Sequence, residues 1–454
     1  MSSDADSLKF REKFGYGLGD AASNFFFQVF NLFLLYYYTD VYGLAPAAVG
    51  TMFLVTKVID AVSDPVMGLI ADRTQSRWGK FRPYLLWAAI PYGLFGYAMF
   101  AAPQFSDTGK LIYAYASYTL MMLAYTAINV PYSALMGVIS PSSFERTRVA
   151  SYRFACAFGA GWLIATFVTP LKNLLGAGDE VAGFRLTMMI FAVVSILLFW
   201  VCFATTKERV HPKETRSDIK ADFAALMSNG PWIALFFSAI FALMNVPMRA
   251  GSTIYYFKYY VGDDGSPLFL IFDKTAVFLS LQTFALLAGI LVTQTIVRRF
   301  DKRRLMIALT LGNAAAMAVF YVIPPGQYWM MLAVTCIGNF VIGPTLAIVW
   351  SMYADCADYG EWKTGRRTTG LIFSASQFAQ KMGLAVGAGL SGLVLSLFGF
   401  VANQDQSESA MTGIRLMFSI FPGVLAMLSA FAIFFYSLSS DKVRQIEKEL
   451  AERR

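Results

Sequence analysis

Twelve apolar stretches constrain this chain more than any single motif does. They run near residues 15–39, 49–71, 83–102, 111–139, 149–171, 184–205, 231–260, 269–297, 305–323, 328–354, 368–399 and 411–438. Each is long enough for a tilted helix across a hydrocarbon core of about 30 Å. Composition agrees: 57% of the residues are hydrophobic and 15% are charged, whereas a soluble domain carries about 25% charge. The 41 Phe, 23 Tyr and 8 Trp exceed the aromatic surface that a soluble globule of 454 residues buries. The expected fold is therefore an all-α membrane protein. One His and four Cys argue against a histidine-rich metal site and a disulfide framework. Cys156, Cys202, Cys336 and Cys356 lie in or beside apolar stretches and read as small hydrophobes.

The net charge of +8 invites a nucleic-acid reading, so the placement of the cations has to decide. Twelve spans put both termini on one side. That side, span ends included, holds 28 of the 37 Lys and Arg. The other side holds Lys110, Lys172, Arg185, Lys258, Lys274 and Arg415, while Lys57, Arg249 and Lys381 fall inside spans. The asymmetry predicts that both termini are cytoplasmic. Topology accounts for the positive charge, and no nucleic-acid partner is expected. Residues 1–14 are polar and the following run lacks a cleavage site, so the first span is expected to remain in the mature protein.

The longest hydrophilic interruption, 206–230, divides the chain into an N-terminal half (1–205) and a C-terminal half (231–439), followed by a tail at 440–454. The loop and the tail are expected in the cytoplasm. A basic turn follows span two (DRTQSRWGKFRP) and another follows span eight (RRFDKRR), a weak echo of duplication. Two six-helix halves are the plan of the major facilitator fold. His211, in the central loop, reads as a solvated residue and not as a ligand. GYGLGD (15–20) and GAGLSG (387–392) look like phosphate-binding loops, but no strand precedes either. Inside apolar helices such glycines let neighbours approach closely. No Walker A sequence is present, so uphill transport by such a chain draws on an ion gradient.

Charges within a membrane are costly and usually functional. Span two carries Lys57, Asp60 and Asp64, which fall within roughly 60° of one another at about 100° per residue. Two carboxylates that close do not both ionise without a cation nearby. Lys57 neutralises one; the other calls for Na⁺ or a proton. Pro65 leaves the carbonyl of Ala61 without its helical donor. The plain alternative is a Lys57–Asp60 pair that only joins helices. Span one offers Asp20 and Asn24; span four offers Tyr125, Thr126, Asn129 and Ser133; span eleven offers Ser374, Gln377, Gln380 and Lys381. Amides, hydroxyls and aromatic rings from three helices suit a sugar, although single amides in a bundle often just tie helices together. Arg249, near Pro247 in span seven, receives no role from the sequence. The segment 350–367 reads as a loop in which Asp355, Asp358 and Glu361, with Arg366 and Arg367, form a charge latch or an ordinary solvated surface.

YYYTDVYGL (36–44), DAVSDP (60–65), SRWGKFRP (76–83), NVPYSAL (129–135) and ADCADYGEWK (354–363) together resemble the glycoside–pentoside–hexuronide:cation symporters, the family of the melibiose permease. The resemblance runs from Tyr16 to about Gly383. It implies a cation held by Asp60 and Asp64 with Thr126, Ser63 standing where the melibiose permease has Asn. It implies sugar contacts at Asn24, Asn129, Ser133, Arg153 and Lys381, with amides at Asn24 and Asn129 replacing the two sugar-binding carboxylates of that permease. Its tryptophan in span four becomes Ser133. These departures resemble the glucuronide and xyloside carriers of the family.

The expected protein is a symporter that imports a glycoside, pentoside or hexuronide with Na⁺ or H⁺ by alternating access. It would act as a monomer in a bacterial inner membrane, with no cofactor and no enzymatic activity. Two other readings stay open. FFFQVF (25–30) suits a path for an amphiphile such as a lysolipid, and a sensor of this architecture would bind without translocating.

Overall fold

The computed structural model describes residues 8–140, 143–209, 219–297, 299–365 and 369–453. His211, Arg366 and Arg367 lie outside the described residues. The described chain is helical, and its one extended pairing is an isolated bridge between Phe269 and Phe272.

Helices fill all twelve apolar stretches. We label them α1 (Phe10–Leu32), α2 (Pro46–Arg73), α3 (Ala89–Ala98), α4 (Asp107–Val138), α5 (Ser143–Gly176), α6 (Glu180–Thr205), α7 (Gly230–Tyr255), α8 (Lys274–Leu291), α9 (Lys302–Tyr321), α10 (Tyr328–Thr364), α11 (Thr369–Leu397) and α12 (Ile420–Ile433). Shorter helical pieces extend several of them: Leu34–Val41 after α1, Arg82–Trp87 before α3, Tyr256–Val261 after α7 and Glu408–Phe418 before α12. Among the described residues nine helices are long and apolar enough to cross a membrane, and the pair Phe10–Leu32 and Leu34–Val41, bent by 58°, makes a tenth. The remaining two are α2 and the Arg82–Ala98 pair broken at Ala88. At about 1.5 Å per residue α2 also exceeds the hydrocarbon thickness.

Helix starts follow local chemistry. Ser106, Asp179, Asn229 and Ser407 each accept a backbone N–H from the first turn of the helix they precede, satisfying donors that the helix cannot.

The chain forms two compact units, Met1–Glu214 with Gly265–Ser280, and Thr215–Asp264 with Leu281–Arg454. Each has the same internal scheme. In the first, α1 packs on α5 and α6, and α3 packs on α6. In the second, α7 packs on α11 and α12, and α9 packs on α12. Both glycine-rich stretches lie at helix crossings. A Cβ on Gly17 would sit 2.8 Å from the Tyr152 carbonyl oxygen, and one on Gly387 would collide with that of Met244. Neither stretch is a phosphate loop.

One expectation needs correcting. The segment expected to be a loop at 350–367 is helical as far as Thr364, because α10 continues past the end of its apolar run. Along that end Asp355, Cys356, Ala357 and Gly360 are buried.

Candidate functional site

The candidate groups of the first unit are built on four helices: α1, α2, α4 and α5. On α2, Lys57 Nζ lies 2.9 Å from Asp60 Oδ2. Asp60 is 5% exposed, and its other oxygen, Oδ1, is buried with no hydrogen-bond partner among the described residues. A buried carboxylate oxygen left bare is costly, because such atoms are bonded as a rule. Thr126, on α4, donates its hydroxyl to Asp64 Oδ1 at 2.9 Å and so ties α2 to α4. Ser63 donates to the Asp60 carbonyl at 3.3 Å, which commits its proton to its own helix and leaves the oxygen lone pairs. Two carboxylates one turn apart on α2 and the Thr126 hydroxyl on Asp64 offer oxygen donors alone, a chemistry that suits a hard cation or a proton.

Asp20, Ser23 and Asn24 share one face of α1 by their i, i+3, i+4 spacing. Arg153 of α5 grips Asp20: Nε donates to Oδ2 at 3.0 Å and Nη2 to Oδ1 at 3.5 Å. The guanidinium carbon lies 5.3 Å from the centroid of the Tyr132 ring. Asp20 and Arg153, both expected to contact substrate, therefore engage each other as a neutral pair. Asn24 donates to the Asp20 carbonyl at 2.8 Å. Asn129 donates to the Tyr125 carbonyl at 3.1 Å and accepts from the Ser23 hydroxyl at 2.8 Å. Tyr125 is half-buried, its ring 6.3 Å from Tyr92 and 6.5 Å from Phe27. Ser133 is exposed. Tyr16 and Tyr132 close the α1–α4 contact, each hydroxyl donating to the other residue's carbonyl at 2.9 and 2.8 Å, with the rings stacked.

Gln377 and Lys381 belong to α11 of the second unit and are exposed there. In the same unit Lys302 Nζ reaches Asp355 Oδ2 at 2.7 Å and Ser351 Oγ at 2.7 Å. Asp355 is thus held by the first residue of α9. Asp358 and Glu361 follow it on α10, half-buried.

Three contributors escaped the sequence reading. Ser23 was legible, since it sits at i+3 from Asp20. Lys302 was visible only as part of a basic turn. Glu208 gave no signal. Its carboxylate accepts the backbone N–H groups of Lys80, Phe81 and Arg82 at 2.9, 2.8 and 3.0 Å, anchoring the SRWGKFRP turn. Glu145 binds Lys13 at 2.8 Å and Arg148 at 3.2 Å and accepts from the Leu8 N–H. The Lys13 hydrogen bond, opposed by burial and helped by the Leu8 and Arg148 bonds, holds its carboxyl below the usual range.

Comparison with known proteins identifies the family. Residues 15–440 match the family described as MFS/sugar transport protein. The chain is 36% identical to the inner membrane symporter YicJ of Escherichia coli K12, covering 99% of this chain and 96% of that protein. It is 34% identical to an isoprimeverose transporter of Lactiplantibacillus pentosus, with 97% and 90% covered. It is 31% identical to a glucuronide carrier protein homolog of Escherichia coli K12, with 98% and 96% covered. Among solved structures, the nucleoside transporter NupG superposes with a TM-score of 0.61 at 13% identity, covering 94% of this chain and 99% of that one. The apolar helices, the repeated packing of the two units and these matches have one meaning: the chain is a multi-pass membrane protein of the glycoside–pentoside–hexuronide:cation symporter family, within the major facilitator superfamily.

Proposed function

We propose that this symporter imports a glycoside or hexuronide together with Na⁺ or H⁺ by alternating access, both termini facing the cytoplasm. The observation that carries the reading is the bare, buried Oδ1 of Asp60 beside the Asp64–Thr126 hydrogen bond. A coupling ion, or a proton on the carboxylate, supplies the partner that this oxygen lacks. The wall groups favour a sugar over an amphiphile. Asn24, Asn129, Tyr125 and the Asp20–Arg153 pair offer amides, an aromatic face and a fixed dipole, where an alkyl chain needs none of them. Relatives whose names specify isoprimeverose and glucuronide support a sugar or sugar-acid cargo. Charge arithmetic favours the acid: amides at both Asn24 and Asn129 remove two negative charges from a site of the melibiose type.

The test is transport in proteoliposomes. Asp60→Asn and Asp64→Asn are expected to abolish ion-driven accumulation while substrate exchange persists, since the sugar groups lie on other helices. By linkage, the ion raises wild-type substrate affinity by the factor by which substrate raises ion affinity. Full accumulation by the double variant overturns the ion assignment, and a wild type that binds without counterflow is a sensor instead.

A further inference from the structure

The second unit contains a cavity of about 320 Å³, at the lower end of the roughly 300–1,000 Å³ typical of small-molecule sites. Asn245 and Arg249 of α7, Gln282 of α8, Asn313 of α9 and Thr335 and Asn339 of α10 are among its lining residues. Arg249 is the charged one. Its Nη1 donates to the Phe418 carbonyl at 3.3 Å and its Nη2 to Thr335 Oγ1 at 3.1 Å. Its guanidinium carbon lies 4.6 Å from the Phe418 ring centroid and 5.4 Å from that of Phe320. Those contacts use two of five N–H donors, and no ion pair joins Arg249 to a carboxylate among the described residues. An ionised group inside a membrane bundle is normally paired, and facing rings offset only part of its desolvation. The wall is unfinished at a second point. Asn313 is 6% exposed, faces the cavity and makes no hydrogen bond to a described residue, although buried amides are bonded as a rule.

We propose that this cavity is a binding site for a small hydroxylated organic acid, its carboxylate on Arg249 and its hydroxyls on Asn313, Asn245 and Gln282. A guanidinium presents a planar fork that matches a carboxylate. The ring of amides suits hydroxyl groups, and the volume suits a molecule larger than an inorganic ion. Leucine, alanine and valine side chains, such as Leu286, Ala316 and Val334, cover the remaining wall. The site uses no residue of the first unit; because a sugar acid is also the cargo proposed above, the variants at Arg249 and Asn313 are what separate this site from the transport reading.

Calorimetric titration of the purified full-length protein with sodium glucuronate tests it, with methyl glucoside and sodium chloride at matched ionic strength as the other arms. Glucuronate is expected to bind, and Arg249→Gln to weaken it by about tenfold or more. Arg249→Lys retains part of the affinity. Because Arg249 also ties α7 to Thr335, its removal risks the fold. Asn313→Leu, which leaves that tie intact, is therefore expected to weaken glucuronate by itself. The proposal is overturned by a folded wild type that does not bind glucuronate, or by unchanged affinity in Asn313→Leu. It is equally overturned by an equal loss for glucuronate and methyl glucoside in Arg249→Gln, or by displacement of glucuronate by chloride at equal concentration.

Discussion

Replacing Arg153 by Gln removes one half of the Asp20–Arg153 pair and leaves the other carboxylate stranded among α1, α4 and α5. The magnitude follows from exposure. The Asp20 side chain is 11% exposed and that of Arg153 is 26% exposed, so the stranded charge is nearly buried and its lost partner was only partly so. Breaking a buried pair by deleting one member costs about 3–5 kcal/mol, and the partial exposure of Arg153 places this case at the low end. The double variant Asp20→Asn, Arg153→Gln carries no buried charge and is expected to recover more than half of that loss. Equilibrium unfolding in mixed detergent, run on the wild type, both single variants and the double, gives the coupling directly. A double variant as unstable as Arg153→Gln alone refutes the pairing argument. Substrate affinity in the same proteins separates two roles: stability that returns without affinity assigns the pair to substrate contact, whereas the return of both makes it a strut.

Three further outcomes are expected. Gly79 has φ of 109°, and a Cβ there would collide with the Glu208 carboxylate. Gly79→Ala should therefore cost about 1–3 kcal/mol in thermal unfolding, and an unchanged midpoint would show that the turn does not require a left-handed backbone at Gly79. Glu145 has a lowered carboxyl pKa in the folded protein, so its contribution is complete above the unfolded value of about 4.3 and is lost as pH falls through the folded value. The stability gap between wild type and Glu145→Gln should be constant at neutral pH and close on acidification below about pH 4; a gap that widens there contradicts the assignment. Asn129→Asp keeps the acceptor for Ser23 but loses the donor to Tyr125 and adds a charge. It should weaken a uronide by about 1–3 kcal/mol and a neutral glycoside less, and equal losses would show that this position does not sense substrate charge.

Hydropathy alone placed the twelve helices, because a chain in a hydrocarbon layer has little freedom in where it becomes polar. Lys57 and Asp60 were legible as a pair, being one turn apart on one helix. Asp64 and Thr126, 62 residues apart, were grouped only by the family resemblance, and Asp20–Arg153 was not legible as a pair, since those partners lie 133 residues apart and only tertiary packing joins them. The amides of Asn24 and Asn129 were found, yet part of their donor capacity goes to carbonyls of their own helices, which side-chain identity does not reveal. The end of α10 was misjudged for a related reason: hydropathy marks where the membrane stops, not where a helix does. Arg249 shows the opposite case, a residue conspicuous in sequence whose surroundings only the structure supplies.

The positions of Thr126 and Asn129 on α4 have a mechanical consequence. They stand three residues apart, one facing Asp64 of α2 and the other Ser23 of α1. Six residues on from Thr126, Tyr132 clasps α1 by the backbone. On the function proposed above, the groups for ion and sugar are thereby mounted on a common shaft that is geared to α1. A rotation that tightens the Thr126 end also re-aims the Asn129 end, with no chain of intermediaries between them. On that proposal, cooperativity between the two cargoes reduces to the torsional stiffness of a single turn of helix.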